Sequence, residues 1–133
     1  MPSFDLDRES VEMFRVGEQY LFTAYIDNQA IFEQVREYYN DTEYRFEVPV
    51  GEFETVCDCL EEAYLDPVEV TDPEPYCVVV ETYDQHAKIL RDAVATWERR
   101  GHRFFLMESE LAVADAVARG ATPVAETAFV VGL

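Results

Sequence analysis

The central part of this chain, residues 75–108, reads PYCVVVETYDQHAKILRDAVATWERRGHRFFLME. Its first section, residues 76–83, is rich in valine and aromatic side chains, which pack well on a pleated sheet but lose rotamer freedom in a helix. Apolar residues occupy both alternating positions of this section, as they do in a strand that is covered on both faces. The pattern predicts a central strand around which the rest of the fold is arranged.

Residues 84–100 have the spacing of an amphipathic helix. Apolar side chains recur at steps of three and four residues, at Ile89, Leu90, Ala93, Val94 and Trp97. One helical face would hold all of them. Gly101 would end this helix in the left-handed conformation, and residues 103–108 would form a second buried strand. A strand, a covering helix and a second strand predict a right-handed parallel crossover.

The N-terminal part predicts a β-hairpin. Apolar residues alternate with period two through residues 11–26, and the Gly17-Glu18 pair in the middle suits a two-residue turn. The alternative is one long helix, in which Gly17 would cost about 1 kcal/mol relative to alanine.

The remaining patterns complete an α+β fold. In order they predict a helix from Asp27 or Asn28 to Tyr39, a strand at 44–48, a helix at 51–64, a short strand at 68–70, a helix at 110–119 capped by Ser109, and a strand at 127–131. From residue 44 to residue 108 the element order is that of a ferredoxin-like fold. We therefore predict a single globular domain over residues 1–133. It would be a ferredoxin-like sandwich with helices packed on a mixed sheet, an extra N-terminal strand and helix, and an extra C-terminal helix and strand.

The chain is strongly acidic. It has 28 acidic and ten basic residues, a net charge of −18, and Lys88 is its single lysine. Such a surface repels itself at low ionic strength, whereas molar salt shortens the Debye length to about 3 Å and screens the repulsion. The composition predicts a halophile-type protein of a salt-rich cytoplasm; the alternative is a surface that binds cations or a basic partner. It argues against nucleic-acid binding, because phosphate neutralisation needs lysine and arginine.

The charge is also unevenly distributed. Residues 1–75 hold 20 acidic residues and four arginines, whereas residues 76–133 hold eight acidic and six basic residues. The only basic cluster lies in the second part and consists of Arg99, Arg100, His102 and Arg103. This island of positive charge predicts an anion-binding pocket for a phosphate, a carboxylate or an acidic partner. The alternative is that these cations pair with nearby acids and with a helix dipole.

The three cysteines, Cys57, Cys59 and Cys77, are odd in number and scattered, which predicts structural thiols rather than a disulfide framework. No CxxC or HxxxH spacing occurs, so we predict neither a metal nor a cofactor. The chain has no run of about 18 apolar residues and no secretory signal pattern. We therefore expect a cytoplasmic protein without a membrane partner.

The sequence has no motif that specifies a reaction. It predicts a non-enzymatic small ligand-binding, regulatory or oligomerisation domain. This domain would act as a homodimer through a sheet edge, such as residues 68–70, or through the aromatic residues of its N-terminal half. The alternative is a small enzyme that acts on an anionic metabolite held by the basic cluster.

Overall fold

The computed structural model describes residues 9–81 and 86–131 of the chain. The chain divides into two compact units, Met1–Val70 and Thr71–Leu133. Each unit combines a β-sheet with helices, so the α+β class is confirmed. The boundary between the units lies five residues before the change in charge density. A single domain over residues 1–133 stays a prediction.

The first unit is built on a mixed five-stranded sheet. Its elements are β1 (Glu9–Val16), β2 (Gln19–Phe22), α1 (Gln29–Val35), β3 (Tyr39–Asn40), β4 (Arg45–Pro49), α2 (Phe53–Glu62) and β5 (Leu65–Val70). The strand order is β3-β4-β2-β1-β5, with β5 parallel to β1 and the other neighbours antiparallel. Alternate strand residues, among them Met13, Phe22 and Phe46, form a buried face that packs with Val35 of α1 and Leu60 of α2.

The predicted N-terminal hairpin is confirmed. β1 and β2 are antiparallel, and Gly17 in the turn between them has a φ of +63°. Glycine adopts this conformation without steric cost, and the alternative of one long helix is wrong. Asn28 begins α1, because its side-chain oxygen accepts hydrogen bonds from the backbone N–H groups of Ala30 and Ile31. β4 and α2 lie where the sequence predicts them, and β5 begins three residues before the strand predicted over residues 68–70 and is an edge strand.

The second unit is built on a four-stranded sheet. Its elements are β6 (Cys77–Glu81), α3 (Ala87–Arg91), β7 (Ala93–Arg99), β8 (His102–Met107), α4 (Glu110–Ala118) and β9 (Thr122–Pro123). The strand order is β7-β8-β6-β9, and all three pairs are antiparallel. The predicted central strand is confirmed as β6: Val78 and Val80 pack with Phe105 in the core of the unit. Residues 82–85 lie outside the described residues.

The helix predicted over residues 84–100 is wrong in its second half. α3 is short, and the segment that follows it is β7, which pairs with β8. Thr96 and Trp97 are residue types that favour a strand. The Arg100-Gly101 turn has φ values of +53° and +81°, which match the twist of a two-residue hairpin connection. β6 and β8 are antiparallel neighbours, so the predicted parallel crossover is also wrong.

The C-terminal helix is confirmed, and the final strand is wrong. The Ser109 side chain caps α4, and Gly120 with a φ of +105° follows its end. The segment between α4 and residue 124 contains β9, which pairs with β6. Residues 127–131, which the structure describes in full, contain no strand. The chain there leaves a 3-10 turn, Val124–Glu126, instead of continuing along the sheet.

The ferredoxin-like arrangement over residues 44–108 is not confirmed. β4 and β5 belong to the sheet of the first unit, whereas β6 and β8 belong to the sheet of the second. Within the described ranges, no helix has the length and apolar character needed to cross a membrane.

Candidate anion-binding site

The predicted basic cluster lies on the hairpin formed by β7 and β8. Arg100 occupies the first position of the two-residue turn. The ladder places Arg99 opposite His102. It places Arg103 opposite Glu98. Opposed residues of an antiparallel ladder share a face and successive residues alternate, so the hairpin divides the cluster between the two faces of the sheet.

Arg103 lies on a different face from Arg99 and His102. Its guanidinium donates a hydrogen bond to the carboxylate of Glu98. Phe105, two residues further along β8, packs in the core beneath α4. An arginine whose charge is balanced by a cross-strand carboxylate is poorly placed to hold an external anion. Arg103 therefore fits the alternative explanation of the cluster, an ion pair within the protein.

Arg99 and Arg100 line a cleft of about 300 Å³ together with Ala128, Phe129 and Val130. Both arginines are exposed. Among the residues that the structure describes, no carboxylate lies within 4.0 Å of either guanidinium. The opposite wall is apolar, and Val130 in it is 71% exposed. The geometry suits a carboxylate or phosphate held by paired guanidinium hydrogen bonds.

His102 faces a neighbouring cleft, also of about 300 Å³. Phe129 lines both clefts, and its ring centroid lies 4.9 Å from that of His102. The Nδ1 atom of His102 is 3.1 Å from the backbone carbonyl oxygen of Arg100. Because a carbonyl oxygen only accepts, this contact is a hydrogen bond in the tautomer with its proton on Nδ1, which leaves Nε2 as an acceptor. Glu81 lies opposite His102 in the β6–β8 ladder and lines the same cleft.

A third and larger cleft, of about 530 Å³, is lined by two basic side chains that the sequence analysis did not single out. It is lined by residues of α3 and of the end of α4, which are His86, Ala87, Lys88, Ile89, Ala118 and Arg119. Lys88 and Arg119 are 31 positions apart in the chain, and the packing of α3 near α4 brings them to one cleft. The one feature of the sequence that could have pointed to this cleft is Lys88, which is the single lysine of the chain.

The three cysteines are free thiols, two of them on α2 and one at the start of β6. Burial raises the pKa of Cys57 to about 11 and the pKa of Cys77 to about 12. Burial also raises the pKa of Cys59. A thiol with a raised pKa stays protonated at neutral pH and is a weak nucleophile and metal ligand. Within the described ranges, no group of three His, Cys, Asp or Glu side chains is placed to hold a metal ion.

The aromatic residues of the first unit divide between its core and its surface. Phe22 and Phe46 are stacked in the core, with ring centroids 4.9 Å apart. The Tyr20 hydroxyl donates a hydrogen bond to the Glu69 carboxylate, which connects β2 to β5 across β1. Tyr25 and Tyr44 are exposed, so only part of the predicted aromatic patch is available at the surface.

Comparison with known proteins gives no match to a protein-family model, a curated protein or a solved structure. The functional argument therefore rests on the chemistry of the clefts. Of these, the cleft beside the hairpin turn contains two of the four residues that the sequence singled out.

Proposed function

We propose that this chain is a non-enzymatic domain that binds a small anionic ligand at the turn between β7 and β8. The observation that carries the proposal is the pair Arg99 and Arg100, exposed and without a carboxylate partner among the described residues, beside the apolar wall that contains Phe129. The ligand is a carboxylate or phosphate whose apolar part contacts this wall.

Two properties of the hairpin support binding. The β-ladder on both sides of the turn fixes the backbone that carries the arginines, so the backbone loses little conformational freedom on binding. The medium that we propose, a salt-rich cytoplasm, screens the long-range repulsion between an anion and a chain of net charge −18. Salt weakens the short-range contact between a guanidinium and a bound anion less than it weakens the long-range repulsion between the anion and the acidic surface.

The test is an NMR titration of the isotope-labelled chain in molar KCl, with inorganic phosphate and with benzoate as probes. We expect saturable shifts in the amide signals of residues 99–102 and 128–130. The double change Arg99→Gln and Arg100→Gln should weaken binding about tenfold, which corresponds to about 1.4 kcal/mol.

The matched control is Arg91→Gln, since Arg91 is an exposed arginine of the same unit that does not line this cleft. It should leave the titration unchanged. Shifts that do not saturate, or that persist in the double variant, would contradict the proposed site.

A second candidate function, a small enzyme acting on an anionic metabolite, is favoured by the position of His102. Its Nε2 is an acceptor, and Glu81 lies opposite it in a cleft that shares Phe129 with the arginine cleft. A base beside an anion site could remove a proton from the water that attacks a bound ester. Incubation with phosphate and carboxylate esters separates the two functions. Turnover that His102→Gln abolishes, with binding retained, would favour the enzyme, whereas binding without turnover favours the non-enzymatic domain.

A further inference from the structure

Three ionisable side chains form a row across the sheet of the second unit, beside the turn that carries the proposed anion site. Arg99 of β7 lies opposite His102 of β8, and His102 lies opposite Glu81 of β6. Opposed residues of antiparallel neighbours point to the same face of a sheet, so the three side chains share one face. Two strand spacings separate the backbone of Arg99 from that of Glu81 by about 10 Å. The row therefore has a cation at one end and a carboxylate at the other.

Phe129 connects the two ends of this row. Its ring contacts the rings of His102 and Phe104, with centroid distances of 4.9 Å and 5.2 Å. The same side chain lines the cleft that contains Arg99 and the cleft that contains Glu81, each of about 300 Å³. A molecule that occupies both clefts therefore passes along Phe129, where an apolar segment makes the most favourable contact.

The charges at the two ends of the row are available to a ligand. Glu81 is exposed, and no basic side chain in the described part of the chain lies within 4.0 Å of its carboxylate. Arg99 is exposed as well, and the two residues do not pair with each other. Between them, Nε2 of His102 accepts a hydrogen bond in the tautomer whose proton on Nδ1 is donated to the carbonyl oxygen of Arg100. The row offers donors at one end and acceptors at the other.

We propose that the ligand of this site is a zwitterion, an amino carboxylate whose acid and amino groups are separated by an apolar segment. Its carboxylate accepts hydrogen bonds from Arg99 and Arg100, and its apolar segment packs on Phe129. Its ammonium donates hydrogen bonds to Glu81 and to Nε2 of His102. The inference rests on the proposed function, because it uses the same arginines, and it specifies the class of ligand. The separation of the two ends favours a long amino carboxylate over an α-amino acid, whose acid and amino groups share one carbon.

The net charge of the chain also favours a zwitterion over a simple anion. The field of a chain with a net charge of −18 repels an approaching anion and attracts a cationic group. A zwitterion carries both groups and has no net charge. The acidic surface therefore does not oppose its approach, whereas it opposes the approach of a phosphate or a simple carboxylate at low ionic strength.

The test compares three probes that share one aromatic ring, in an NMR titration of the isotope-labelled chain in molar KCl. Benzoate has the acid group alone, benzylamine has the amino group alone, and para-(aminomethyl)benzoate has both groups at opposite ends of the ring. We expect para-(aminomethyl)benzoate to bind about fivefold more tightly than benzoate, which is the gain from one partly exposed ion pair, and more tightly than benzylamine. Its shifts should extend beyond residues 99–102 and 128–130 to Glu81 and Thr122, which line the second cleft.

A single substitution identifies the residue that holds the amino group. Glu81→Gln should lower the affinity for para-(aminomethyl)benzoate to that for benzoate and leave benzoate binding unchanged, because the amide keeps the shape of the side chain and removes its charge. The matched control is Glu110→Gln, which removes an exposed carboxylate of the same unit that lines neither cleft. This control should leave both affinities unchanged.

The outcomes separate this inference from the proposed function. Equal affinities for benzoate and para-(aminomethyl)benzoate, both lost in the double variant Arg99→Gln and Arg100→Gln, would overturn the zwitterion and retain the anion site. The absence of saturable binding by any probe would overturn both. A preference for para-(aminomethyl)benzoate that persists in Glu81→Gln, or that Glu110→Gln also abolishes, would overturn the zwitterion, because the acidic surface as a whole would then cause the preference. Benzylamine that binds as tightly as para-(aminomethyl)benzoate would overturn it too.

Discussion

The two units of the chain differ in what their basic residues do. In the first unit two of the three described arginines pair with a carboxylate, Arg36 with Glu33 and Arg45 with Glu47, and Arg15 lies over the ring of Tyr20. In the second unit, Lys88, Arg99, Arg100 and Arg119 have no carboxylate within 4.0 Å among the described residues.

This difference does not follow from the number of acids alone. The second unit has ten acidic residues for six basic ones, which is enough to pair each of them. The cations that have no carboxylate within 4.0 Å among the described residues are at a hairpin turn, on a short helix and at a helix end. The comparison indicates that position within the fold, rather than composition, decides which cations are available for a ligand.

The largest expected effect concerns the independence of the two units. Phe105→Ala and Phe22→Ala each remove a fully buried ring from one core, and each should cost about 3–5 kcal/mol. Trp97, the single tryptophan, is stacked on Phe104 in the second unit, so its fluorescence reports unfolding there. Hydrogen exchange in β1 and β2 reports the first unit.

If the units unfold separately, Phe105→Ala should lower the denaturation midpoint of Trp97 fluorescence and leave the exchange of β1 and β2 unchanged. Phe22→Ala should do the reverse. If each variant shifts both signals equally, the chain unfolds cooperatively as the single domain that the sequence predicts.

Several elements could be predicted because a local pattern determines them. Gly17 permits the turn of the first hairpin, and the apolar residues at both parities of β6 indicate a buried strand. The helix predicted over residues 84–100 is wrong in its second half for a physical reason. The spacing from Ile89 to Trp97 fits one helix, but it also fits a short helix followed by an alternating strand. Pairing of β7 with β8, which is not visible in local spacing, decides between them.

Only part of the candidate site could be predicted, because local sequence does not show how the sheet arranges its side chains. Arg99 and Arg100 are adjacent in sequence and remain together in the fold. Arg103 is close in sequence, but the alternation of side chains in β8 places it on the other face, where Glu98 neutralises it. Phe129 could not be assigned to the site, because it is joined to the hairpin only by tertiary packing.

A pair of arginine substitutions tests the comparison directly. Arg45 Nε lies 2.8 Å from Glu47 in a partly buried pair, so Arg45→Gln should destabilise the protein by about 1.5 kcal/mol and leave phosphate binding unchanged. Arg100 has a φ of +53° in the turn, a conformation that asparagine adopts at lower cost. Arg100→Asn should therefore stabilise the protein by about 0.5–1 kcal/mol and weaken phosphate binding.

Urea denaturation and the NMR titration measure the two quantities separately. Loss of phosphate binding in Arg45→Gln would show that paired and unpaired cations do not differ in function. A loss of stability in Arg100→Asn would show that Arg100 has a structural role in the turn that its contacts do not reveal.

The last expected effect is a pH dependence that appears only in alkaline solution and that both units share. A cysteine in an unfolded chain has a pKa near 9.0, whereas burial raises the pKa of Cys57 in the first unit to about 11 and that of Cys77 in the second unit to about 12. The folded protein holds these protons more tightly than the unfolded chain. Its stability should therefore be unaffected by the thiols below about pH 9 and should fall as the pH rises towards the folded pKa values.

Urea denaturation at a series of alkaline pH values checks this expectation. Cys57→Ala and Cys77→Ala should each make the decline less steep, and the effect of Cys77→Ala should extend to the higher pH because the folded pKa of Cys77 is the higher of the two. A decline that is equally steep in both variants would assign it to other groups, such as Tyr20, whose pKa the hydrogen bond to Glu69 raises. If Tyr20 is that group, the alkaline sensitivity belongs to the first unit, and the two units differ in their response to pH as well as in charge.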